Sequence, residues 1–209
     1  MVIGICGGSG SGKTTLLRLL EKHFKALNPT AFSLDNYYKP IHLQSIDSNN
    51  EVNFDLPTAL DTTLLFNDFN TLVSGFPVTV KEYHFNNPPD KQTFVTLQPS
   101  PIIIIEGLFL FHYEEIRSKL DFSIFVDVNH VAQLERRLLR DHTTRGYSKD
   151  AILYQWDNHV MPAFNQYLLP YKSSADFIFV NENDVQKEFS KLVAQIEHTN
   201  TFQELVKLH

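Results

Sequence analysis

Residues 7–14 read Gly7-Gly8-Ser9-Gly10-Ser11-Gly12-Lys13-Thr14, which satisfies the spacing G-x-x-x-x-G-K-[ST]. An apolar run at 2–6 precedes them, and leucines at 16, 17, 19 and 20 follow within residues 13–27. That pattern predicts strand, glycine loop and helix in immediate succession. Glycines let consecutive amides turn inward around an anion, and the helix that starts near Lys13 adds its positive end. The loop is therefore expected to cradle the phosphates of a nucleotide, with Lys13 reaching the β and γ oxygens and the Thr14 hydroxyl available to magnesium. A glycine-rich turn with a chance lysine is the competing reading, and it accounts for none of the flanking elements.

The rest of the chain supplies a matching scaffold. Residues 31–34 predict a second strand, at the end of which stands Asp35. The four isoleucines 102–105, bounded by Pro101 and Glu106-Gly107, predict a central parallel strand covered on both faces. Residues 122–128 and 176–180 repeat that pattern, and helical segments are expected at 112–119, 130–142, 149–169 and 184–198. Pro57 fits the first turn of a helix reaching to about 74, and Pro162 should kink or break the 149–169 helix near Met161. Residues 36–54 are polar, aromatic and aperiodic, the mark of a long functional loop. Residues 78–85 and 93–98 predict a hairpin standing off the main sheet. Strands alternating with helices imply an α/β fold with a mostly parallel sheet and helices on both faces. A chain of 209 residues fits one such domain, with a hairpin excursion at about 77–98 and a helical lid at about 136–150.

Composition removes other classes. A formal charge of −6 offers no field for a nucleic acid polymer. The lone cysteine, Cys6, permits neither an intramolecular disulfide nor zinc-site spacing, and no apolar run approaches the ~20 residues of a membrane span. A cytoplasmic protein without a membrane partner is expected.

Two carboxylates follow predicted strands. Glu106 occupies the place of a metal-positioning acid, or is merely exposed at a strand end. Asp35 could accept a substrate hydroxyl proton and contact magnesium, or serve as a turn or N-cap residue. Arg137 and Arg140 share a helix face, with Arg145 just beyond, as a cationic lid over polyphosphate would require. The alternative is a solvated basic helix with Glu135 and Asp141 as local partners, the class to which Arg136, pointing elsewhere, is assigned.

Several ordered stretches together resemble the uridine kinase and phosphoribulokinase family across nearly the whole chain, most nearly its uridine–cytidine kinase branch. They are 7–15, Asp35-Asn36-Tyr37-Tyr38, Asn53-Phe54-Asp55-Leu56-Pro57 with Ala59 and Asp61, Tyr83 with Phe85, Glu106-Gly107, Phe125-Val126-Asp127, Arg136-Arg137-Leu138-Leu139-Arg140-Asp141 with Arg145-Gly146, and Pro162-Ala163-Phe164. The resemblance implies a P-loop NTPase-type fold and nucleotide binding by Gly7, Gly8, Ser9, Gly10, Ser11, Gly12, Lys13, Thr14 and Thr15. It implies Asp35 as general base and Thr14, Asp35 and Glu106 around Mg2+. Lys13, Arg137, Arg140 and Arg145 would offset developing charge. Asp55 would hold ribose hydroxyls, while Tyr38, Phe54, Tyr83, Phe85 and Gln155 would line a nucleoside pocket. Read without the family, each aromatic is better explained by ordinary core or hairpin packing.

One segment departs from that pattern. The family's Tyr-Asp-Phe-x-x-His-x-Arg becomes Tyr83-His84-Phe85-Asn86-Asn87-Pro88-Pro89-Asp90, and a lid arginine becomes Tyr147. Proline has no side-chain donor or acceptor, so a base edge is not read from position 88. Recognition then passes to His84 or Asn87, or His84 is a solvated hairpin residue. The expected function is transfer of the γ-phosphoryl group of ATP or GTP to a nucleoside 5′-hydroxyl such as that of uridine or cytidine. The alternatives are another small alcohol or sugar phosphate as acceptor, or a catalytically silent nucleotide-binding relative. The absence of Asn-Lys-x-Asp and Asp-x-x-Gly sequences argues against a signalling GTPase, and the family resemblance is compatible with a homo-oligomer.

Overall fold

The computed structural model of the protein describes residues 1–83, 92–182 and 184–208. In chain order its strands are β1 (Val2–Gly7), β2 (Thr30–Ser33), β3 (Ser45–Ile46), β4 (Val52–Asn53), β5 (Val78–Lys81), β6 (Phe94–Leu97), β7 (Ile103–Glu106), β8 (Phe122–Asp127) and β9 (Phe177–Val180). The α-helices are α1 (Lys13–His23), α2 (Thr62–Val73), α3 (Glu114–Arg117), α4 (His130–Arg145), α5 (Lys149–Gln155), α6 (Met161–Ala163), α7 (Leu169–Lys172), α8 (Val185–Glu197) and α9 (Asn200–Leu208). Five strands form a parallel sheet in the order β2-β7-β1-β8-β9. Each parallel return needs a crossover, and the intervening helices cover both faces.

The isoleucine run shows why. Side chains alternate across a strand, so Ile103 and Ile105 enter one core with Phe69, Leu72, Ile116 and Leu168. Ile102 and Ile104 enter the other, against Leu16, Leu20, Leu192 and Ile196. Strand β1 does the same with Ile3 and Ile5 on one face and Cys6 on the other. Both faces are dry, so the strands read as continuous apolar runs rather than alternating ones.

The two small sheets stand apart from this frame. Strands β5 and β6 pair antiparallel, Val78 opposite Leu97 and Lys81 opposite Phe94, as the hairpin pattern predicted with shorter bounds. His84, Phe85 and the 86–90 connection lie outside the described residues. Strands β3 and β4 form a two-residue ribbon, Ser45 opposite Asn53 and Ile46 opposite Val52, inside the segment expected to be aperiodic.

Two proline expectations are corrected. Pro57 opens a 3-10 turn, Pro57–Ala59, and α2 begins only after Asp61, whose side chain accepts from the Leu64 amide. The earlier start is prevented because Leu60 is drawn into an antiparallel bridge with Tyr38. Pro162 does not break the chain near Met161, which keeps helical φ −69° and ψ −42°. The helix instead widens into π-turns, Trp156–Val160 before the proline and Phe164–Leu168 after it. A proline ring strikes the carbonyl four residues back, and a turn closed five residues apart takes that carbonyl out of the way. Helix α9 was not foreseen; it packs Leu205 and Phe202 beneath α1 and α8.

Ile104 is fully buried between β1-β7-β2 and the α1 face, where no neighbouring side chain can fill a void without breaking its own packing. Ile104→Ala is expected to lower unfolding free energy by about 3 kcal/mol, read from the midpoint of urea denaturation with the m-value unchanged.

Candidate active site

Every crossover of a parallel sheet leaves its strand ends on one side, and a cavity of about 360 Å3 opens there. Its floor is the turn from β1 into α1. Gly10 and Gly12 take φ of 76° and 99°, left-handed values that a side chain would resist. A Cβ at Gly10 would also sit 2.8 Å from the Gln133 carbonyl oxygen, and one at Gly12 would strike the Asn181 amide. The carbonyls of the loop are taken up by donors: Lys13 Nζ bonds those of Gly7 and Gly8 at 3.0 and 3.1 Å. Asn181 Nδ2 bonds that of Ser11 at 2.7 Å, and Arg136 reaches those of Gly10 and Ser11 at 3.4 and 3.5 Å. Helix α1 carries no acidic residue in its first turn, so its positive end is left for a ligand anion.

Ser9, Gly10, Gly12, Lys13, Thr14 and Thr15 line the cavity, whereas Gly7, Gly8 and Ser11 support it from beneath, Ser11 being wholly buried. Arg136 is exposed, as its assignment to the solvated class implies, but it does not point away from the site. It lines the cavity and ties the glycine loop to Asn181, whose carbonyl it bonds at 3.2 Å.

Glu106 is the last residue of β7 and is paired in register with Ile5 and Ser33, which buries it to 4% exposure. The reading of an exposed strand-end acid is therefore excluded. Its Oε1 accepts from Ser33 Oγ at 3.1 Å and from Thr14 Oγ1 at 3.4 Å. Burial, and then the Asp35 charge, push its carboxyl up to about 7, against the lowering pull of Lys13 and the two hydroxyls. Asp35 is exposed to the cavity in the 3-10 turn Leu34–Tyr37. The capping role belongs to Ser33, whose side chain accepts from the Asp35 amide at 3.3 Å, leaving the Asp35 carboxylate to the cavity.

The same cavity has an aromatic lining. Tyr38 packs edge-on against Phe54 with centroids 6.1 Å apart and tilts against Tyr83 at 5.3 Å. All three line the cavity with Asp55 and Gln155. His84 and Phe85, read as pocket residues from the sequence, lie outside the described residues.

The arginines of α4 meet at an acid that the sequence reading treated only as a local partner. Asp141 is wholly buried, with Arg140 Nε at 2.7 Å, Arg137 Nε at 3.3 Å and Arg145 Nε at 3.4 Å from its carboxylate. Arg137, also buried, bonds Ser9 Oγ at 3.0 Å and Gln155 Oε1 at 2.9 Å and lies 4.0 Å from Asp55. Burial raises the Asp55 carboxyl, with Arg137 opposing. Burial and then Arg140 lower the Arg145 guanidinium. Arg137, Arg140 and Arg145 all line the cavity. The cavity wall also includes Val52, Leu108, Tyr147 and His159. Of these, Val52, Leu108 and His159 carried no sequence signal, since none belongs to a motif and their convergence is made by loops.

The donor set suits a hard cation. Magnesium takes oxygens, one or two carboxylates with substrate phosphates and water, and the Thr14 hydroxyl and Glu106 carboxylate are already in contact beside Asp35. Among the described residues no group of three or more His, Cys, Asp or Glu forms a metal cage.

Known proteins give a consistent picture. The model of the phosphoribulokinase / uridine kinase family matches residues 2–187. Uridine-cytidine kinase B of Dictyostelium discoideum is 34% identical over 177 residues, 85% of this chain and 73% of that protein. The uridine kinase of Staphylococcus haemolyticus is 34% identical over 85% of this chain and 86% of its own. In fold, the chain is similar to a possible uridine kinase from Bacillus stearothermophilus, with a TM-score of 0.61 and 22% identity over 86% of this chain and 88% of that one.

The raised Glu106 carboxyl makes a stability prediction. A group whose folded value lies above its unfolded value of 4.5 holds its proton in the folded state first, so it costs stability progressively as pH rises from about 4.5 through 7. Glu106→Gln is expected to remove that cost, raising the melting temperature of ligand-free protein at pH 8 by on the order of 5 °C and leaving it little changed at pH 4.5. Differential scanning calorimetry at both pH values checks it; equal shifts at the two would contradict the burial of a protonated acid.

Proposed function

Because the chain belongs to the phosphoribulokinase / uridine kinase family, we propose that it transfers the γ-phosphoryl group of ATP or GTP to a small-molecule hydroxyl, the 5′-hydroxyl of a nucleoside such as uridine or cytidine. The observation that carries this reading is one continuous cavity lined together by the glycine loop and Lys13, by Asp55 and the Tyr38–Phe54–Tyr83 aromatics, and by Asp35. A polyphosphate and a flat, hydroxyl-bearing acceptor each find the surface their chemistry asks for. We read residues 1–209 as one cytoplasmic kinase domain, with residues 77–98 as an acceptor-side hairpin and residues 136–150 as a lid.

In this reading the nucleotide's β and γ phosphates lie on the loop amides and the α1 N-terminus, and Lys13 leaves the Gly7 and Gly8 carbonyls to meet them. Asp35 takes the proton of the acceptor hydroxyl as its oxygen bonds the γ-phosphorus and the bond to the β-phosphate oxygen breaks, releasing a nucleoside diphosphate. Arg140 and Arg145, held by Asp141, face the charge that develops on the transferred group. Arg137 is more enclosed and links Ser9 of the phosphate end to Gln155 of the acceptor end, so it couples the two halves. Asp55 beside Arg137 offers a carboxylate to ribose hydroxyls, and the aromatic faces hold the base by stacking. Thr14, Asp35 and Glu106 would hold Mg2+, which when bound offsets phosphate charge and orients the nucleotide.

Aspartate 35 separates chemistry from binding. Asp35→Asn is expected to cut kcat for nucleoside phosphorylation by about 10³-fold while the nucleotide dissociation constant stays within a factor of about three. Coupled-assay kinetics with uridine, cytidine, sugar phosphates and other small alcohols, alongside nucleotide titration, read both quantities. Wild-type turnover in the variant would remove Asp35 from the role of base.

A further inference from the structure

The ribbon β3-β4 leads directly into the acceptor end of the cavity, since Val52, Phe54 and Asp55 all line it. A two-stranded ribbon with only two residue pairs has little stability of its own. Its turn is organised by Asp47, whose Oδ1 accepts from the amides of Asn49 at 2.8 Å and Glu51 at 2.9 Å. The other oxygen, Oδ2, leaves the ribbon altogether. It accepts from Tyr154 Oη at 2.6 Å and lies 2.8 Å from His159 Nε2. Asn49 Nδ2 closes the cluster by bonding Tyr154 Oη at 2.6 Å.

Tyr154 and His159 can share one carboxylate oxygen because of the π-turn between them. Residues five apart on an α-helix point about 140° away from each other. A turn closed between Trp156 and Met161 brings them toward one face, where their rings meet edge-on with centroids 5.8 Å apart. His159 is 2% exposed and lines the cavity, although no catalytic step above uses it. The neighbour of Tyr154, Gln155, bonds Arg137. One helical segment therefore holds the ribbon through Asp47 and the arginine cluster through Gln155.

We propose that Asp47, Tyr154 and His159 form a latch that fixes the ribbon against the helix and so sets the acceptor wall of the cavity, with Asp47 and His159 acting as positioning residues for acceptor binding. Hydrogen bonds to a charged acceptor are the strong ones, and Asp47 accepts several, which together hold its carboxyl well below the usual range, Tyr154 contributing most. The cost of releasing the latch falls on Val52, Phe54 and Asp55 and spares the glycine loop. The kinetic consequence rests on the acceptor reading above; the mechanical one does not.

The test uses the full chain and three substitutions: Tyr154→Phe, which removes one hydroxyl, His159→Phe, which removes the ring nitrogens, and His159→Gln, which restores a donor. With uridine or cytidine as acceptor, Tyr154→Phe and His159→Phe are expected to raise the acceptor KM by about tenfold with kcat and nucleotide KM within about twofold. Backbone amide exchange over residues 47–53 should quicken about tenfold with α1 unchanged, and His159→Gln should recover most of both effects. Unchanged exchange at 47–53, quickened exchange with an unchanged acceptor KM, or a matching rise in nucleotide KM overturns the latch. If the wild-type protein phosphorylates neither nucleoside, the acceptor reading fails, and the exchange measurement still decides whether the latch exists.

Discussion

The backbone between β1 and α1 can turn as it does only where no side chain resists it, and the site is assembled around that turn. Gly10 and Gly12 hold left-handed φ, Gly10 against Gln133, which arrives from α4, and Gly12 against Asn181, which follows the end of β9. Those two elements are brought there by the sheet order, in which β1 lies between β7 and β8, with β9 next. Donors on Lys13, Asn181 and Arg136 occupy the loop carbonyls. Binding outward-facing acceptors in this way turns the loop into an anion nest whose shape is set before a ligand arrives.

Charge is handled by concentration. A wholly buried aspartate collects three arginines, and a second acid, Glu106, is buried under two hydroxyls. Burying charge costs more than pairing returns unless the geometry is good, so such clusters are weak stabilisers. They are better understood as preorganisation. In the proposed reaction, guanidinium groups already held at Asp141 would not have to be gathered as phosphoryl charge develops, which is the condition under which fixed dipoles and charges aid a transfer.

Legibility in the sequence followed range. The glycine loop, the isoleucine strand, the carboxylate that ends β7 and the one that follows β2 were readable because each is a local pattern whose meaning comes from period or spacing. The helix caps were readable only in part. Asp61 caps α2, yet Pro57 four residues earlier carried the stronger local signal, and the Tyr38–Leu60 bridge decided against it. Pro162 was read as kinking or breaking the helix near Met161, and the chain instead stays helical there through widened turns, with Trp156, Val160, Phe164 and Leu168 buried. Arg136 and His159 were not legible as site residues because their partners lie on other elements, at sequence separations of 126 and 112, and no local rule ties them together. Asp141 pairs within its own helix, four residues from Arg137, and only its complete burial was hidden.

The sequence alone determined the chemistry on offer: a phosphate-cradling turn, acids at strand ends, a helix rich in arginine, and a parallel sheet to carry them. These depend on backbone freedom and side-chain periodicity, which are properties of neighbouring residues. Only the tertiary structure decided which groups face one another. It buried Glu106 and so raised its carboxyl to about 7, bound Arg137 to both Ser9 and Gln155, and set His159 against Asp47. Burial and long-range approach arise from how elements pack, and a carboxylate's charge or an arginine's reach is fixed by that packing rather than by its own position in the chain.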